Sequence, residues 1–185
     1  PRSEEVFMGE KLFIRQTGDS LIATYDKGNV SNNTLHSIYP LDTNESVSLY
    51  YLLGVINSKL LNWYYKIVNY LEVGKPMAEV KGIYIRKLPV ATADIVIMES
   101  VEVYVKELME LCSRRYLTKQ EFITFIINAY EPRKISEQLD HFYDNSFKDF
   151  CVELKKQKVK LTASQQMELL PLFDERKKQI SEISA

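Results

Sequence analysis

The pattern of apolar residues changes once along the chain, at Ala91-Thr92-Ala93, and that change restricts the fold more than any other feature. Before it, short apolar stretches are separated by turn residues. Residues 11–16 and 20–25 read as two strands joined by Thr17-Gly18-Asp19, where Gly18 offers the positive φ of a tight turn. Asp26-Lys27-Gly28-Asn29 reads as the next turn, and Val30 to Ile38 as an extended stretch broken at Pro40. A helix follows to about Val68, capped by Ser46 or Ser48, because Leu49, Leu52, Leu53, Ile56, Leu60, Leu61 and Tyr64 recur at three- and four-residue steps. Gly74-Lys75-Pro76 breaks the chain, and Ile83, Ile85 and Leu88 flank basic residues in an expected closing strand that stops at Pro89.

Beyond the change, Asp94 opens an amphipathic helix whose Ile97, Val101, Tyr104, Val105, Leu108 and Leu111 hold a helical period to Cys112. A second helix is expected over Lys119 to Ala129, stopping before Pro132 because proline disfavours the helical conformation in the residue preceding it. A third is expected from Ile135 to Lys156, and a last one from Ser164 to Ile183 with Pro171 inside it. The fold class is therefore α+β and helix-rich, with a small mixed α/β module over residues 1–92 and a helical region over 93–185. No internal repeat or low-complexity linker separates them.

Composition narrows the function. With 45% hydrophobic and 26% charged residues the chain is globular in character, and no run approaches the roughly 20 apolar residues needed to cross a bilayer. Pro1-Arg2-Ser3-Glu4-Glu5 is neither a signal peptide nor a usual start, so the sequence is expected to be a piece of a longer chain in the cytoplasm. Cys112 and Cys151 have no cysteine or histidine at metal-ligand spacing, which argues against a zinc site or a disulfide framework. The formal net charge of −1 gives no support to nucleic-acid binding, but its distribution is uneven. Residues 11–92 hold nine Lys/Arg against six Asp/Glu, and residues 93–185 fourteen against sixteen.

Several residues carry chemistry that admits two readings. Lys11 and Arg15, four apart in a strand, project from one face and suit phosphates or bases, or simply a solvated face. Asn32, Asn33 and His36 suit adenine recognition or ordinary turns, and His36 reads as a structural hydrogen-bonder because no nucleophile accompanies it. Asn57-Ser58-Lys59 lies where amides and hydroxyls are poor helix formers, so its side chains need partners, the simplest being the neighbouring sheet. Lys75, Lys81, Arg86 and Lys87 surround Glu79, with Tyr84 among them, and form either a phosphate-facing ridge or a basic sheet edge that discourages aggregation. The aromatics Tyr50, Tyr51, Trp63, Tyr64, Tyr65 and Tyr70 fall in a helical context and read as packing residues.

Four segments in order then carry a resemblance: Lys11-x-x-x-Arg15, Thr34-Leu35-His36, Leu52-Leu53-Gly54-x-x-Asn57-Ser58-Lys59, and a closing segment ending in Leu88-Pro89. Together they resemble the TaqI-like C-terminal specificity domain, or target-recognition domain, of restriction-modification adenine-specific DNA methyltransferases. The resemblance is closest to the single-chain kind that fuses endonuclease, methylase and specificity modules. It covers roughly residues 6–92, while Glu153-Leu154-Lys155-Lys156, Leu161-Thr162 and Phe173-x-x-x-Lys177 look like the helical region that such enzymes place afterwards.

The resemblance implies recognition of double-stranded DNA, which is held for adenine-N6 methylation, and for cleavage where the parent cuts, by domains outside this sequence. Those domains would bind S-adenosylmethionine, with Mg2+ for cutting. This sequence has no Asn-Pro pair and only six scattered glycines, so no cofactor and no catalytic residue is expected in it. Phosphate contacts would fall to Lys11, Lys75, Lys81 and Lys87. Base discrimination would fall to Arg15, Asn32, Asn33 or Arg86, with His36 and Tyr84 beside them. The implied partners are DNA and the methyltransferase domain of the same parent chain, and no membrane. Composition alone fits equally an α+β protein-interaction module that never touches DNA.

Overall fold

Strand β1 (Glu10–Arg15) organises the first half of the chain, because its four inner residues Lys11, Leu12, Phe13 and Ile14 are all buried. A strand covered on both faces belongs in the middle of a sheet, and β1 lies between β2 (Ala23–Lys27) and β3 (Leu35–Ile38), antiparallel to both. The computed structural model describes residues 8–31, 34–40 and 47–184. Opposite residues share a face of an antiparallel sheet, so Leu12, Ile14, Ala23, Tyr25, His36 and Ile38 line one side, and Lys11, Phe13, Thr24 and Ser37 the other. The expected hairpin forms around Gly18 at φ 133°, and the expected next turn around Gly28 at φ 92°, where Asn29 N donates to Asp26 Oδ2 at 3.1 Å.

Helix α1 (Leu49–Asn57) starts at Ser48, whose hydroxyl accepts from Tyr51 N at 3.2 Å. Ser46 lies outside the described residues. The single helix expected to Val68 is two helices, since Ser58 is extended (φ −63°, ψ 148°) and caps α2 (Lys59–Val68) by accepting from Leu61 N. The apolar period continues through the break, which is why periodicity does not reveal it. Leu49, Leu53 and Ile56 of α1 join Leu61 and Tyr65 of α2 in the core, and α1 packs on β1 and β2.

The expected closing strand at 83–88 is instead a short helix, α3 (Gly82–Ile85), followed by a turn. Lys81 O accepts from Tyr84 N and Ile85 N, and Gly82 O accepts from Arg86 N, so these backbone groups are satisfied locally and none is left for a ladder. Extended pairing occurs earlier: Gly18 N donates to Ala78 O, Val80 N to Gln16 O, and Thr17 bridges Glu79. Residues 78–80 thus continue the ladder beyond the end of β1.

Helix α4 (Ile95–Tyr130) replaces the two helices expected over 94–112 and 119–129. Residues 113–117 are exposed, so the apolar period lapses there, yet they contain no glycine or proline to stop a helix. The chain divides within α4 into the units Pro1–Lys106 and Glu107–Ala185. In the first, α4 approaches α1 at Gly54, where an added Cβ would lie 2.9 Å from Val105 and 3.0 Å from Val101. In the second, Phe122 packs with Phe142, Phe150 and Phe173, the shortest centroid distance being 4.2 Å.

The helix expected over 135–156 is α5 (Glu137–Asp140), a 3₁₀ turn (Phe142–Asp144) and α6 (Phe147–Lys156). Ser136 and Ser146 cap the two α segments, and Asn145 Nδ2 donates to the carbonyls of Gln138 and His141. Helix α7 (Ala163–Ser184) contains Pro171 as expected, and α4 ends before Pro132.

Candidate nucleic-acid interface

The backbone ladder decides which edge of the sheet can meet a ligand. Arg15 N donates to Ile22 O, so alternation turns the backbone groups of Ala23 away from β1 and toward the outer edge of β2. Asn57 Oδ1 accepts from Ala23 N at 2.9 Å while its Nδ2 donates to Ala23 O at 3.0 Å, much as a neighbouring strand would. One turn into α2, Asn62 Oδ1 accepts from Leu21 N at 2.7 Å. Asn57 therefore finds its partner in the sheet while Ser58 caps α2, and the helix break at Ser58 separates the two asparagines that close this stretch of the edge.

The cations expected to face DNA fall into two groups. Lys11 is 1% exposed, its ammonium held by Asp26 Oδ2 at 3.1 Å and Gly9 O at 3.0 Å, and lying 5.3 Å from the Phe13 ring centre. Burial pushes the Asp26 carboxyl up, but hydrogen bonds from Asn29 and Lys11 outweigh this and hold it below its ordinary value. A phosphate contact by Lys11 would require breaking that buried pair. Lys81 and Lys75 both bond Glu72 Oε1, at 3.0 and 3.1 Å, and keep that carboxyl below the usual range. Glu72 Oε2 accepts from Glu79 N, so the acid that organises this loop is Glu72. Glu79, which the sequence places among the lysines, accepts instead from Gln16 Nε2 at 2.8 Å. The i,i+3 spacing of Glu72 and Lys75 was the available signal.

Arg15, Arg86 and Lys87 are exposed, and among the described residues none of them has a carboxylate partner. The Arg15 guanidinium folds over the Gly18 turn, where an added Cβ would sit 2.5 Å from Nη2. Gly18 thus supplies both the backbone conformation and the space that Arg15 occupies.

Arg86 and His36 meet in a cleft of about 350 Å³ at the β3 edge, lined also by Asn29, Ser31, Ser37 and Tyr39. His36 Nε2 lies 2.6 Å from Val80 O, and since a carbonyl only accepts, Nε2 carries the proton and donates. The ring also lies against Gly82, the first residue of α3. His36 is a structural hydrogen-bonder, as its isolation in the sequence suggests. Tyr84 is half-buried in α3, and Asn32 and Asn33 lie outside the described residues. Ser31, Ser37 and Tyr39 were not singled out from sequence, although the alternation along β3 was there to be read. Among the described residues no group of three or more His, Cys, Asp or Glu could hold a metal ion.

A three-stranded sheet anchored by helix-borne asparagines, with an all-helical unit following, defines a helix-rich α+β protein. Residues 1–90 match the family model of the TaqI-like C-terminal specificity domain. This family points to a DNA-specificity role in restriction-modification enzymes and is not itself catalytic. Residues 95–185 match a domain of unknown function, DUF8810. No curated protein and no solved structure matches the chain. No helix among the described residues is long and apolar enough to cross a membrane.

Proposed function

We propose that residues 1–90 read duplex DNA for a restriction-modification enzyme and hold it for adenine-N6 methylation by a methyltransferase domain of the same parent chain. S-adenosylmethionine would be the methyl donor in that domain, and a parent that also cuts would use Mg2+. The observation that carries the reading is the family match over residues 1–90. The exposed arginines support it, since guanidinium forks suit both guanine edges and phosphates. In this reading Arg15 reads a base, held in place over the Gly18 turn, and Lys87 contributes phosphate affinity. Lys11 shapes the site without touching DNA, while Lys75 and Lys81 act mainly through Glu72. Asn32 and Asn33 stay with Arg15 as base readers, and His36 and Tyr84 position the segments around them. Methylation of a base requires its extrusion from the helix, and a specificity domain on the duplex holds the distorted site while that happens. The parent enzyme would work in the cytoplasm, where its DNA substrate is.

Fluorescence-anisotropy titration of the chain with duplex DNA at low and moderate salt tests the reading. Binding should weaken as salt rises, and an Arg15→Ala variant should lose about 1–3 kcal/mol on the preferred sequence and much less on others. Equal losses on every sequence would remove Arg15 from the base-reading role. Absence of binding, by both the chain and the intact parent protein, would overturn the DNA reading.

A further inference from the structure

We infer that the cleft at the β3 edge seats a phosphate group of the nucleic-acid backbone, with Arg86 as its anchor and not as a base reader. This deepens the DNA-specificity reading and rests on it for the source of the phosphate. The first support is the ladder. Gln16 N donates to Thr34 O, so Thr34, His36 and Ile38 turn their backbone groups toward β1, and Leu35 and Ser37 turn theirs toward the cleft. Among the described residues no side chain closes this edge as Asn57 closes the edge of β2.

The second support is the lining. Ser31, Ser37 and Asn29, whose amide nitrogen is already bonded to Asp26 Oδ1 at 2.6 Å, line the cleft with Arg86, a cation without a carboxylate partner among the described residues. Phosphate asks for hydrogen-bond donors beside a positive charge, and the outward backbone N–H groups of Leu35 and Ser37 face the cleft that Arg86 lines. Reading a base by stacking asks for an aromatic platform, and of the two aromatic rings in this mainly polar lining, His36 and Tyr39, the first is already held by Val80 O and Gly82. The cleft volume of about 350 Å³ leaves room for the attached sugar. An acidic peptide could in principle add to an open edge, but β3 is four residues long and Pro40 follows closely, so it offers too short a ladder for strand addition.

The third support is how Arg86 is held. Its N–H bonds Gly82 O, and His36, bonded to Val80, packs on Gly82. His36 is therefore a positioning residue that fixes the α3 turn against β3.

The test is an amide NMR titration of the full chain with inorganic phosphate, paired with duplex binding across a salt series, for the wild type, Arg86→Ala and Arg86→Lys. Phosphate should shift the amides of Ser31, Leu35 and Ser37 in the wild type and leave them unmoved in Arg86→Ala. The slope of log K against log salt should fall by about one in Arg86→Ala, equally on unrelated sequences. Arg86→Lys should retain the slope, because lysine serves phosphate as a point charge but lacks the fork that reads guanine. If phosphate leaves those amides unmoved, if an acidic peptide moves them in its place, or if Arg86→Lys loses binding on one sequence only, the inference is overturned. Phosphate shifts without duplex binding would keep the site and remove the DNA reading. Duplex binding with an unchanged slope in Arg86→Ala would do the reverse.

Discussion

The two edges of the sheet are finished in opposite ways. On the β2 side Asn57 satisfies both outward backbone groups of Ala23 and Asn62 accepts from Leu21 N, so that stretch of the edge is closed to a ligand. On the β3 side the outward groups of Leu35 and Ser37 open onto a polar cleft containing Arg86. The same amide chemistry that reads adenine edges in DNA is spent at Asn57 on the protein's own backbone. Polar residues in a recognition domain therefore divide into those that build the frame and those that remain unpaired, and only the second group is available for recognition.

The largest effect should come from breaking the closed edge. Asn57→Ala removes both bonds to Ala23 and leaves an N–H and a carbonyl of a buried residue unpaired, a loss of about 2 kcal/mol in denaturant unfolding. Asn57→Asp keeps the acceptor for Ala23 N but loses the donor to Ala23 O, and should fall between wild type and Asn57→Ala. Neither should alter the salt slope of duplex binding while the protein is folded.

A smaller loss is expected on the open side, where one bond substitutes for two. His36→Phe keeps the ring packed near Gly82 but removes the donor to the carbonyl of Val80, a fully buried residue, for about 1 kcal/mol. Because this loosens the turn that carries Arg86, it should also weaken duplex binding, which Asn57→Ala should not. Equal effects of the two variants on binding would erase the distinction between the edges.

What the sequence made legible follows the same division. Local signals were strong where the residue type matched a special backbone need: Gly18 and Gly28 at positive φ in turns, Ser48 at a cap, the stop before Pro132. The need of Asn57-Ser58-Lys59 for partners was legible from helix propensity, and the sheet supplied one for Asn57. The extended reading of 83–88 failed because Ile83 and Ile85 alternate with Tyr84 and Arg86 as a strand would, yet this backbone is satisfied within one turn. The break expected inside α4 failed because a lapse in apolar period marks solvent exposure, not the end of a helix. For the candidate site, the arginines were legible as chemistry, but which cations were already paired was not. That depends on Asp26, fifteen residues from Lys11, and on Glu72, nine from Lys81, and both distances close only in the folded chain.

The Glu72 cluster gives a pH-dependent effect. Its folded carboxyl titrates below the ordinary value of 4.5 because Lys81 and Lys75 bond it, so its contribution is fully present above that value. The contribution is lost as pH falls through the depressed folded value. Lys81, raised above its ordinary 10.5 by the same Glu72 bond, contributes below that value and loses its contribution only as alkaline pH passes the folded value. Thermal melting followed from near neutrality down to about pH 3 should show a steeper acid decline for wild type than for Glu72→Gln, which has no carboxylate there to protonate. Parallel declines would show that Glu72 does not carry this loop.

The smallest effect should come from Lys75, and its smallness is informative. Lys75 is 53% exposed and shares Glu72 Oε1 with Lys81, so Lys75→Met leaves the carboxylate with one of its two ammonium partners. Exposed pairs of this kind contribute little to stability, and the melting temperature should barely move. Lys75 and Lys87 carry the same formal charge, and net charge alone predicts that replacing either weakens duplex binding equally. Lys75 gives much of its field to Glu72, whereas Lys87 has no carboxylate partner among the described residues. Lys87→Met should therefore lower the salt slope and Lys75→Met should lower it less, in the same titration. Equal slopes would mean that the duplex responds to the summed charge of the ridge, and the sorting of cations into paired and unpaired would then have no bearing on recognition.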